Sequence, residues 1–279
     1  MPLAPSGPDL PSLAPDALAF LLQVERLYGA LVSTADSGSE PTLEGKLVYA
    51  GELDSTGRAL LVAANIAGAA SLAATANPAA QKQAIRDGVA DFLVNSLSEA
   101  LRILKNEVRK REPVSVCVAG SSDDLQAEML ERGVLPDLLR PARDLARQDS
   151  VRQEPAPPSP FEAQGSQALR LAANAAGSVQ LTWHVASAPA QALPKLDALA
   201  LACLQPAAHA ERRWLRQAPR YLGRMAQGLR LHTCNQGFAE AFMAQARAAV
   251  EQGEIATAVE IQLISEFETI RHTLVPPTR

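Results

Sequence analysis

Short apolar runs alternate with helical patterns between residues 43 and 139, and this alternation limits the possible folds more than any other feature of the chain. The runs are rich in Val, Leu and Ala and lack alternating polar residues, which is typical of strands covered on both faces of a sheet. They lie at Lys46–Ala50, Ala70–Thr75, Phe92–Val94, Val114–Val118 and Asp137–Leu139. Because helices connect successive strands, we predict an α/β fold with a doubly wound, mainly parallel sheet and helices on both faces.

The predicted helices begin at residues that cap helix N-termini well. Asp54 or Ser55 precedes one of them, and Ser96 precedes another. A helix rich in small residues follows the first strand, and an amphipathic helix precedes it. The predicted bounds are Asp16–Leu31, Thr56–Gly68, Asn77–Arg86, Leu97–Lys110, and Asp123 or Asp124 to Gly133.

The second part of the chain is predicted to repeat the α/β pattern after a proline-rich segment at Gln153–Pro160. The predicted helices are Gln167–Ala176 and Gly237–Gln252, and the predicted strands are Val179–Val185, Leu229–Thr233 and Val259–Leu263. This part either extends the first sheet or forms an appended subdomain. We therefore divide the chain into an N-terminal helix and loop (1–40), a first half (41–150), a proline-rich linker or loop (151–162) and a second α/β half (163–279).

Composition restricts the classes of function. The chain has 279 residues, of which 47% are hydrophobic, so it can bury a full core. It carries 26 Lys and Arg against 30 Asp and Glu, a net charge of −4, which argues against a nucleic-acid partner. The stretch Ala59–Gln81 is uncharged, but its polar residues and Pro78 favour a helix and a strand over a membrane span. With no secretory signal at the start, we expect a soluble, cytoplasmic protein.

Several motifs between Leu43 and Leu139, a third of the chain, resemble the central domain of urocanase (urocanate hydratase) in order and spacing. They are Gly45-Lys46-Leu47-Val48, Ala67-Gly68-Ala69, Asn77-Pro78, Asp91, Ser98-Glu99-Ala100-Leu101, and Arg132-Gly133-Val134 followed by Pro136-Asp137. A weaker similarity continues through Gly177-Ser178-Val179, Arg213-Trp214-Leu215-Arg216, Gly228-Leu229-Arg230 and Glu251-Gln252-Gly253-Glu254-Ile255. The resemblance implies a Rossmann-like fold and a homodimer. It also implies a tightly bound NAD⁺, which acts as an electrophile on urocanate while water is added.

The cofactor-binding residues of the family are mostly replaced in this chain. Where the family reads AGLGGMGGAQ, residues 51–60 keep only Gly57 of the five glycines. Glu52 and Asp54 instead place two carboxylates where a pyrophosphate would lie. The family has Glu at the end of the second strand to hold the ribose, and here Thr75 takes that position.

The family's catalytic segments also differ. The family's TDQTSAHDP is replaced by Leu139–Asp144, and its YGNNIR by Thr182–Ser187. The segment with the family's active-site cysteine is missing, and the chain has about half the family's usual length. The comparison implies a degenerate and truncated relative that has lost urocanate hydratase activity and has no catalytic residues. We predict a binding or assembly module, without a cofactor, that forms a homodimer.

Two alternatives remain open from the sequence. In one, the chain is an enzyme or sensor that keeps a nucleotide or NAD pocket with a rebuilt loop. The cofactor-binding residues would then be Ser55, Thr56, Gly57, Arg58, Thr75 and Ser121. The simpler interpretation is that Asp54 or Ser55 caps a helix, Glu52 favours its positive end, Ser121 is part of another helix cap, and Arg58 lies on the surface. In the second alternative, arginines between Arg212 and Arg230, with Trp214 and Tyr221, bind phosphate; a surface or a protein interface is the preferred interpretation.

No metal site is predicted. The only candidate ligands are Cys203, Cys234, His209 and His232, which lack the spacing of a metal site. Cys117 lies between valines and is expected to be an inert buried thiol. A stripe of residues four apart, at Phe238, Phe242, Ala246 and Val250, predicts a core or dimer face on the last helix.

Overall fold

A computed structural model describes residues 15–35, 41–141, 158–172, 175, 177–226, 228–265 and 268–277. The strands are β1 (Leu47–Glu52), β2 (Ala70–Thr75), β3 (Phe92–Val94), β4 (Val114–Ala119), β5 (Leu138–Leu139), β6 (Gln167–Ala168), β7 (Val179–His184), β8 (Leu229–Cys234), β9 (Val259–Ile264) and β10 (Thr269–Leu274). The helices are α1 (Pro15–Val32), α2 (Ser55–Ala67), α3 (Pro78–Asp87), α4 (Leu97–Lys110), α5 (Ser122–Glu131), α6 (Pro189–Cys203), α7 (His209–Tyr221) and α8 (Gln236–Glu251).

The described residues form two compact units. The parallel-sheet unit takes its residues from 20–174 and 205–225. The antiparallel-sheet unit takes its residues from 15–19, 175–204 and 226–277. The segment 205–225, which the sequence placed in the second half, therefore belongs with the first sheet. None of the described helices is both long enough and apolar enough to cross a bilayer.

The parallel sheet has the order β3-β4-β2-β1-β5-β6, and all of its strand pairs are parallel. All six residues of β2 are buried, because helices cover both faces of the sheet. The predicted doubly wound, Rossmann-like α/β fold is confirmed. The five strands predicted between residues 46 and 139 are present.

Helix α2 lies at the centre of this unit, and eleven of its thirteen residues are buried. It packs between the sheet and α7, whose Trp214 is also buried. Arg213 on α7 donates from Nε to the carbonyl of Ile66 at 2.9 Å, which satisfies a carbonyl in the last turn of α2. The opposite face of the sheet carries α4 and α5 over a cluster that includes Leu72, Leu104 and Met129.

The antiparallel sheet has the order β10-β9-β7-β8. Helices α6 and α8 pack against each other, and Trp183 on β7 lies 4.8 Å from Phe242 on α8, between ring centroids. The predicted apolar stripe on the last helix is thus a core face. Of the two arrangements left open by the sequence, extension of the first sheet is wrong, because β7–β10 form a sheet of their own.

The predicted helix at Gln167–Ala176 is also wrong. Gln167 and Leu169 donate their backbone N–H groups to the carbonyls of Asp137 and Leu139, so this segment adds strand β6 to the edge of β5. Pairing with an open sheet edge here outweighs the local helix propensity. Residues 151–157 of the proline-rich segment lie outside the described residues.

Candidate functional site

The carboxyl ends of β1, β2, β4 and β5 meet at one edge of the parallel sheet. Helix α2 leads from β1 to β2 on one side, whereas β5 pairs with the other side of β1. Ligands of open α/β sheets bind in the crevice where the strand order reverses in this way. The candidate site is therefore the crevice between β1 and β5, with the loop that enters α2.

Asp54 occupies the N-terminus of α2. Its Oδ1 accepts a hydrogen bond from the backbone N–H of Gly57 at 2.8 Å, which confirms the predicted helix cap. Its carboxylate also accepts two hydrogen bonds from Arg140, which directly follows β5: Nη1 to Oδ1 at 3.1 Å and Nη2 to Oδ2 at 2.9 Å. An anion of the chain itself, already paired with a cation, thus lies where the helix would receive a phosphate.

Gly57 has a packing role in this loop. A Cβ atom added to it would lie 2.1 Å from the backbone carbonyl oxygen of Glu52. Only glycine lets the first turn of α2 approach the end of β1 this closely. The third glycine of a dinucleotide-binding loop serves the same purpose, which explains why this glycine remains while the others are replaced.

The other predicted residues of the loop either bond to other parts of the parallel-sheet unit or are exposed to solvent. Ser55 is exposed, and the buried Thr56 accepts a hydrogen bond at Oγ1 from Gln23 of α1 at 3.0 Å. Arg58 was expected on the surface, and this is wrong. Its Nη2 lies 2.6 Å from Oδ2 of Asp87 at the end of α3, and the two side chains are only 18% and 16% exposed.

The ends of β2 and β4 are held by local hydrogen bonds. Thr75 is buried, and its Oγ1 accepts a hydrogen bond from the backbone N–H of Asn77 at 3.3 Å. Ser121 caps α5, because its Oγ accepts from the N–H groups of Asp123 and Asp124 at 3.2 and 3.5 Å. The backbone N–H of Gly120 bonds to the carbonyl of Thr75 at 3.2 Å. The structure thus brings Thr75 close to the start of α5 and uses both hydroxyls in turns.

A cleft of about 210 Å³ lies beside the paired strands β1 and β5, between them, α5 and residues 159–162. Its lining residues are Tyr49, Gly51, Gln126, Leu139, Arg140, Ser159, Phe161, Glu162 and Ala168. None of the six residues predicted to bind a cofactor is among them. The sequence analysis did not find this cleft, and the arginine directly after the fifth strand is the signal that could have indicated it.

The cleft has an aromatic floor and a polar rim. The rings of Tyr49 and Phe161 meet edge to face with centroids 5.4 Å apart. The Tyr49 hydroxyl donates to the carbonyl of Ser122 at 2.9 Å, and burial raises the pKa of Tyr49 well above its usual range. Glu162 accepts from the backbone N–H of Ser159 at 2.7 Å. This arrangement suits shape-selective binding more than proton transfer, because the Tyr49 hydroxyl stays protonated and hydrogen-bonded to the Ser122 carbonyl.

The remaining candidates fall in separate parts of the fold. Burial raises the pKa of Cys117 to about 11, and the nearby charge of Glu52 contributes less, as expected for an inert thiol. No group of three or more metal-ligating side chains occurs among the described residues.

Trp214 is buried on α7, whereas Arg230 lies on β8 of the other unit and pairs with Asp197 at 3.2 Å. The predicted arginine-rich stretch is therefore not one continuous element.

The fold and the position of the crevice define this part of the chain as a Rossmann-like α/β domain. Residues 24–142 match the family model of the urocanase Rossmann-like domain. The match covers β1–β5, α2–α5 and the loop at Asp54. The chain thus contains a region that is similar to the Rossmann-like domain of the urocanase family.

Proposed function

We propose that this chain is a urocanase-like protein without urocanate hydratase activity, and that it acts as a binding or assembly module. The observation that carries the proposal is the Asp54 carboxylate at the N-terminus of α2, bound at two points by Arg140. A dinucleotide fold uses this position for the pyrophosphate of its cofactor. Here the chain supplies the anion itself.

A pyrophosphate at this position would meet an unfavourable charge. Two like charges 4 Å apart near a protein surface repel by about 4 kcal/mol. Arg140 is the cation next to the loop, and it already bonds to both oxygens of Asp54. Arg58 is likewise held by Asp87. A pyrophosphate would therefore compete with Asp54 for the N-terminus of α2 and for Arg140.

The ribose position supports the same proposal. A carboxylate at the end of β2 would accept hydrogen bonds from both ribose hydroxyls. Thr75 stands there instead, buried, with its oxygen accepting from the N–H of Asn77. The residues present therefore fit NAD poorly at the two points that a Rossmann-like domain uses most.

The cleft beside β1 and β5 favours a second candidate function, an enzyme or sensor that binds a small molecule. Its volume of about 210 Å³ lies below the roughly 300–1,000 Å³ of pockets for drug-sized ligands. A ligand the size of a single aromatic ring or a small carboxylic acid would fit, and a whole dinucleotide would not. In this candidate, Arg140 or Gln126 on the rim orients the ligand.

The test compares the freshly purified protein with the same protein after denaturation. Small molecules released on unfolding are identified by ultraviolet spectrum and mass spectrometry, and the melting temperature is measured with and without NAD⁺. We expect no released NAD, no shift, and no consumption of urocanate when NAD⁺ is added. NAD released at about one molecule per chain would contradict the proposal.

A shift of melting temperature with NAD⁺ would also count against the proposal. Two variants would then locate the site, each compared with its own melting temperature in the absence of ligand. A shift that changes in Asp54→Ala but not in Ser187→Ala would place NAD at the entry of α2. Ser187 is a suitable control because it is exposed and belongs to the antiparallel-sheet unit, away from this loop.

We further propose that the chain works in the cytoplasm as a homodimer. All three cysteines are free, which agrees with a reducing compartment. Cell fractionation tests the compartment, and sedimentation equilibrium tests the dimer.

A further inference from the structure

Strand β3 is the outermost strand on one side of the parallel sheet and pairs only with β4 among the described residues. Phe92 is 46% exposed and Leu93 is 40% exposed, although both belong to a sheet whose other strands are mostly covered. Ile85 on α3, just before β3, is 42% exposed. Three of the six large hydrophobic side chains that are exposed among the described residues therefore lie within residues 85–93.

The outer strands at the other sheet edges have features that discourage pairing with other chains. The opposite edge of the parallel sheet, β6, has only two residues. The outer strand β10 carries Arg271 and His272, and β8 carries Arg230. Short strands and charged side chains discourage pairing with other chains. Strand β3 is also short, at three residues, but it reads Phe-Leu-Val and carries no charged side chain. An apolar edge without charged side chains therefore points to a partner strand.

The side chains on both faces of β3 are only partly covered by the rest of the domain. Val94 belongs to the core cluster under α4, so Phe92, two residues earlier, lies on the same face. Leu93 lies on the opposite face, which is covered by α2 and α3. Another strand added at this edge would cover Phe92 on one face and Leu93 on the other.

We propose that the partner is a second copy of this chain, and that two β3 strands pair antiparallel about a two-fold axis through Leu93. In this register Leu93 lies opposite Leu93 of the partner subunit, and Phe92 lies opposite Val94 of the partner subunit. Aromatic and β-branched side chains are a favourable cross-strand pair. The contact is isologous and closes at two copies, giving one continuous sheet of twelve strands from two sheets of six.

The charges at the two ends of the strand agree with this arrangement. Asp91 would lie opposite the neutral Asn95 of the partner subunit, so like charges do not face each other. Antiparallel pairing also brings the start of one β3 beside the end of the other. The exposed Arg86, which precedes β3, then approaches the end of the strand at which the exposed Glu99 follows in the partner subunit.

This inference names the contact surface of the assembly module proposed above, and its test is independent of the cofactor question. The mass of the wild-type protein in solution is measured by sedimentation equilibrium at micromolar concentrations. We expect a dimer, and we expect Leu93→Lys to weaken dimerisation at least about tenfold, because two like charges would meet at the axis. Ile270→Lys is the matched control. Ile270 is equally exposed, at 42%, on the outer strand β10, and this variant is expected to stay dimeric.

A second variant keeps the test informative if Leu93→Lys does not fold. Opposed residues of antiparallel strands have Cα atoms about 4.5–5.5 Å apart, within the range that a disulfide spans. Leu93→Cys is therefore expected to form a covalent dimer on mild oxidation, seen on a non-reducing gel, whereas Ile270→Cys and the wild type are not. A monomeric wild type, a Leu93→Lys variant that dimerises normally, or no faster cross-linking of Leu93→Cys than of Ile270→Cys would each overturn the proposal. The NAD measurements would stand in every case.

Discussion

Asp54 and Arg140 form a two-point ion pair across the carboxyl edge of the parallel sheet, with N···O distances of 2.9 and 3.1 Å. The pair joins the start of α2 to the end of β5, two elements that flank β1. It also fixes the carboxylate that caps α2. Asp54 thus lies at the helix N-terminus at which a dinucleotide fold holds a pyrophosphate.

Replacing Asp54 by Ala should destabilise the parallel-sheet unit by about 1–2 kcal/mol. Most of this loss comes from the helix cap. The ion pair adds less, because the Asp54 side chain is 45% exposed and water screens it. Urea unfolding followed by circular dichroism measures the change. Ser55→Ala, at the exposed neighbouring position, should change the free energy of unfolding by less than about 0.5 kcal/mol. Equal effects of the two substitutions would mean that the cap contributes nothing.

Local signals made the first part of the fold predictable. The strands between residues 46 and 139 differ from their predicted bounds by at most two residues, because each is a short apolar run between a cap and a turn. The Asp54 cap followed from its position before a helical pattern. Arg140 did not follow, because it reaches Asp54 across 86 residues of sequence and depends on β5 lying next to β1.

The second part was predicted less well, for identifiable reasons. Helices α6 and α7 contain Pro194 and Pro219, which obscure the helical pattern. Four of the six residues of strand β10 are exposed and none is fully buried, so no buried apolar face marks it. The four-stranded antiparallel sheet is set by pairing between distant strands, which apolar runs alone do not specify. At the candidate site, the role of Ser121 in a helix cap followed from the sequence. The hydroxyl positions of Thr56 and Thr75 needed the structure, because Thr56 bonds to a neighbouring helix and Thr75 to a turn.

Replacing Gly57 by Ala should destabilise the domain by about 2 kcal/mol or more, although alanine is the better helix former. The added Cβ would lie 2.1 Å from the Glu52 carbonyl oxygen, which belongs to the backbone at the end of β1 and cannot swing aside. Thermal unfolding is the measurement. Gly120→Ala is the control, because a Cβ there meets no atom within 4 Å. A Gly57→Ala variant as stable as Gly120→Ala would contradict the close approach of α2 to β1.

Removing Arg58 should lower the free energy of unfolding more than removing a surface lysine from a comparable ion pair. Arg58 and Asp87 are mostly buried, at 18% and 16% exposure, so Arg58→Ala leaves a carboxylate without its cation in a poorly hydrated site. A loss of about 3 kcal/mol is expected. Lys110→Ala breaks the Lys110–Glu107 pair, whose lysine is 52% exposed, and should cost less than about 1 kcal/mol. Chemical unfolding of both variants makes the comparison, and equal losses would show that burial of the Arg58 pair has no energetic effect.

Cys117 should resist alkylation in the folded protein. Burial raises its pKa to about 11, and the charge of Glu52 is the second cause, so roughly one thiol in a thousand is ionised at pH 8. Iodoacetamide at that pH should modify the half-buried Cys203 and Cys234 before Cys117, and peptide mass spectrometry should find Cys117 modified only after urea is added.

The Cys117 thiol should also make the free energy of unfolding depend on pH. The unfolded chain loses the thiol proton near pH 9, before the folded chain does, so the stabilisation that Cys117 contributes should fall as the pH rises from about 9 to about 11. The free energy of unfolding of wild type minus that of Cys117→Ala measures this contribution. Glu52→Gln should lower the pKa of Cys117 and so narrow the pH range over which this stabilisation is lost. Burial should still protect the thiol from alkylation in this variant. Labelling of Cys117 as fast as Cys203 in the folded protein would contradict its position in the buried strand β4, where the sheet and α2 exclude water from the thiol.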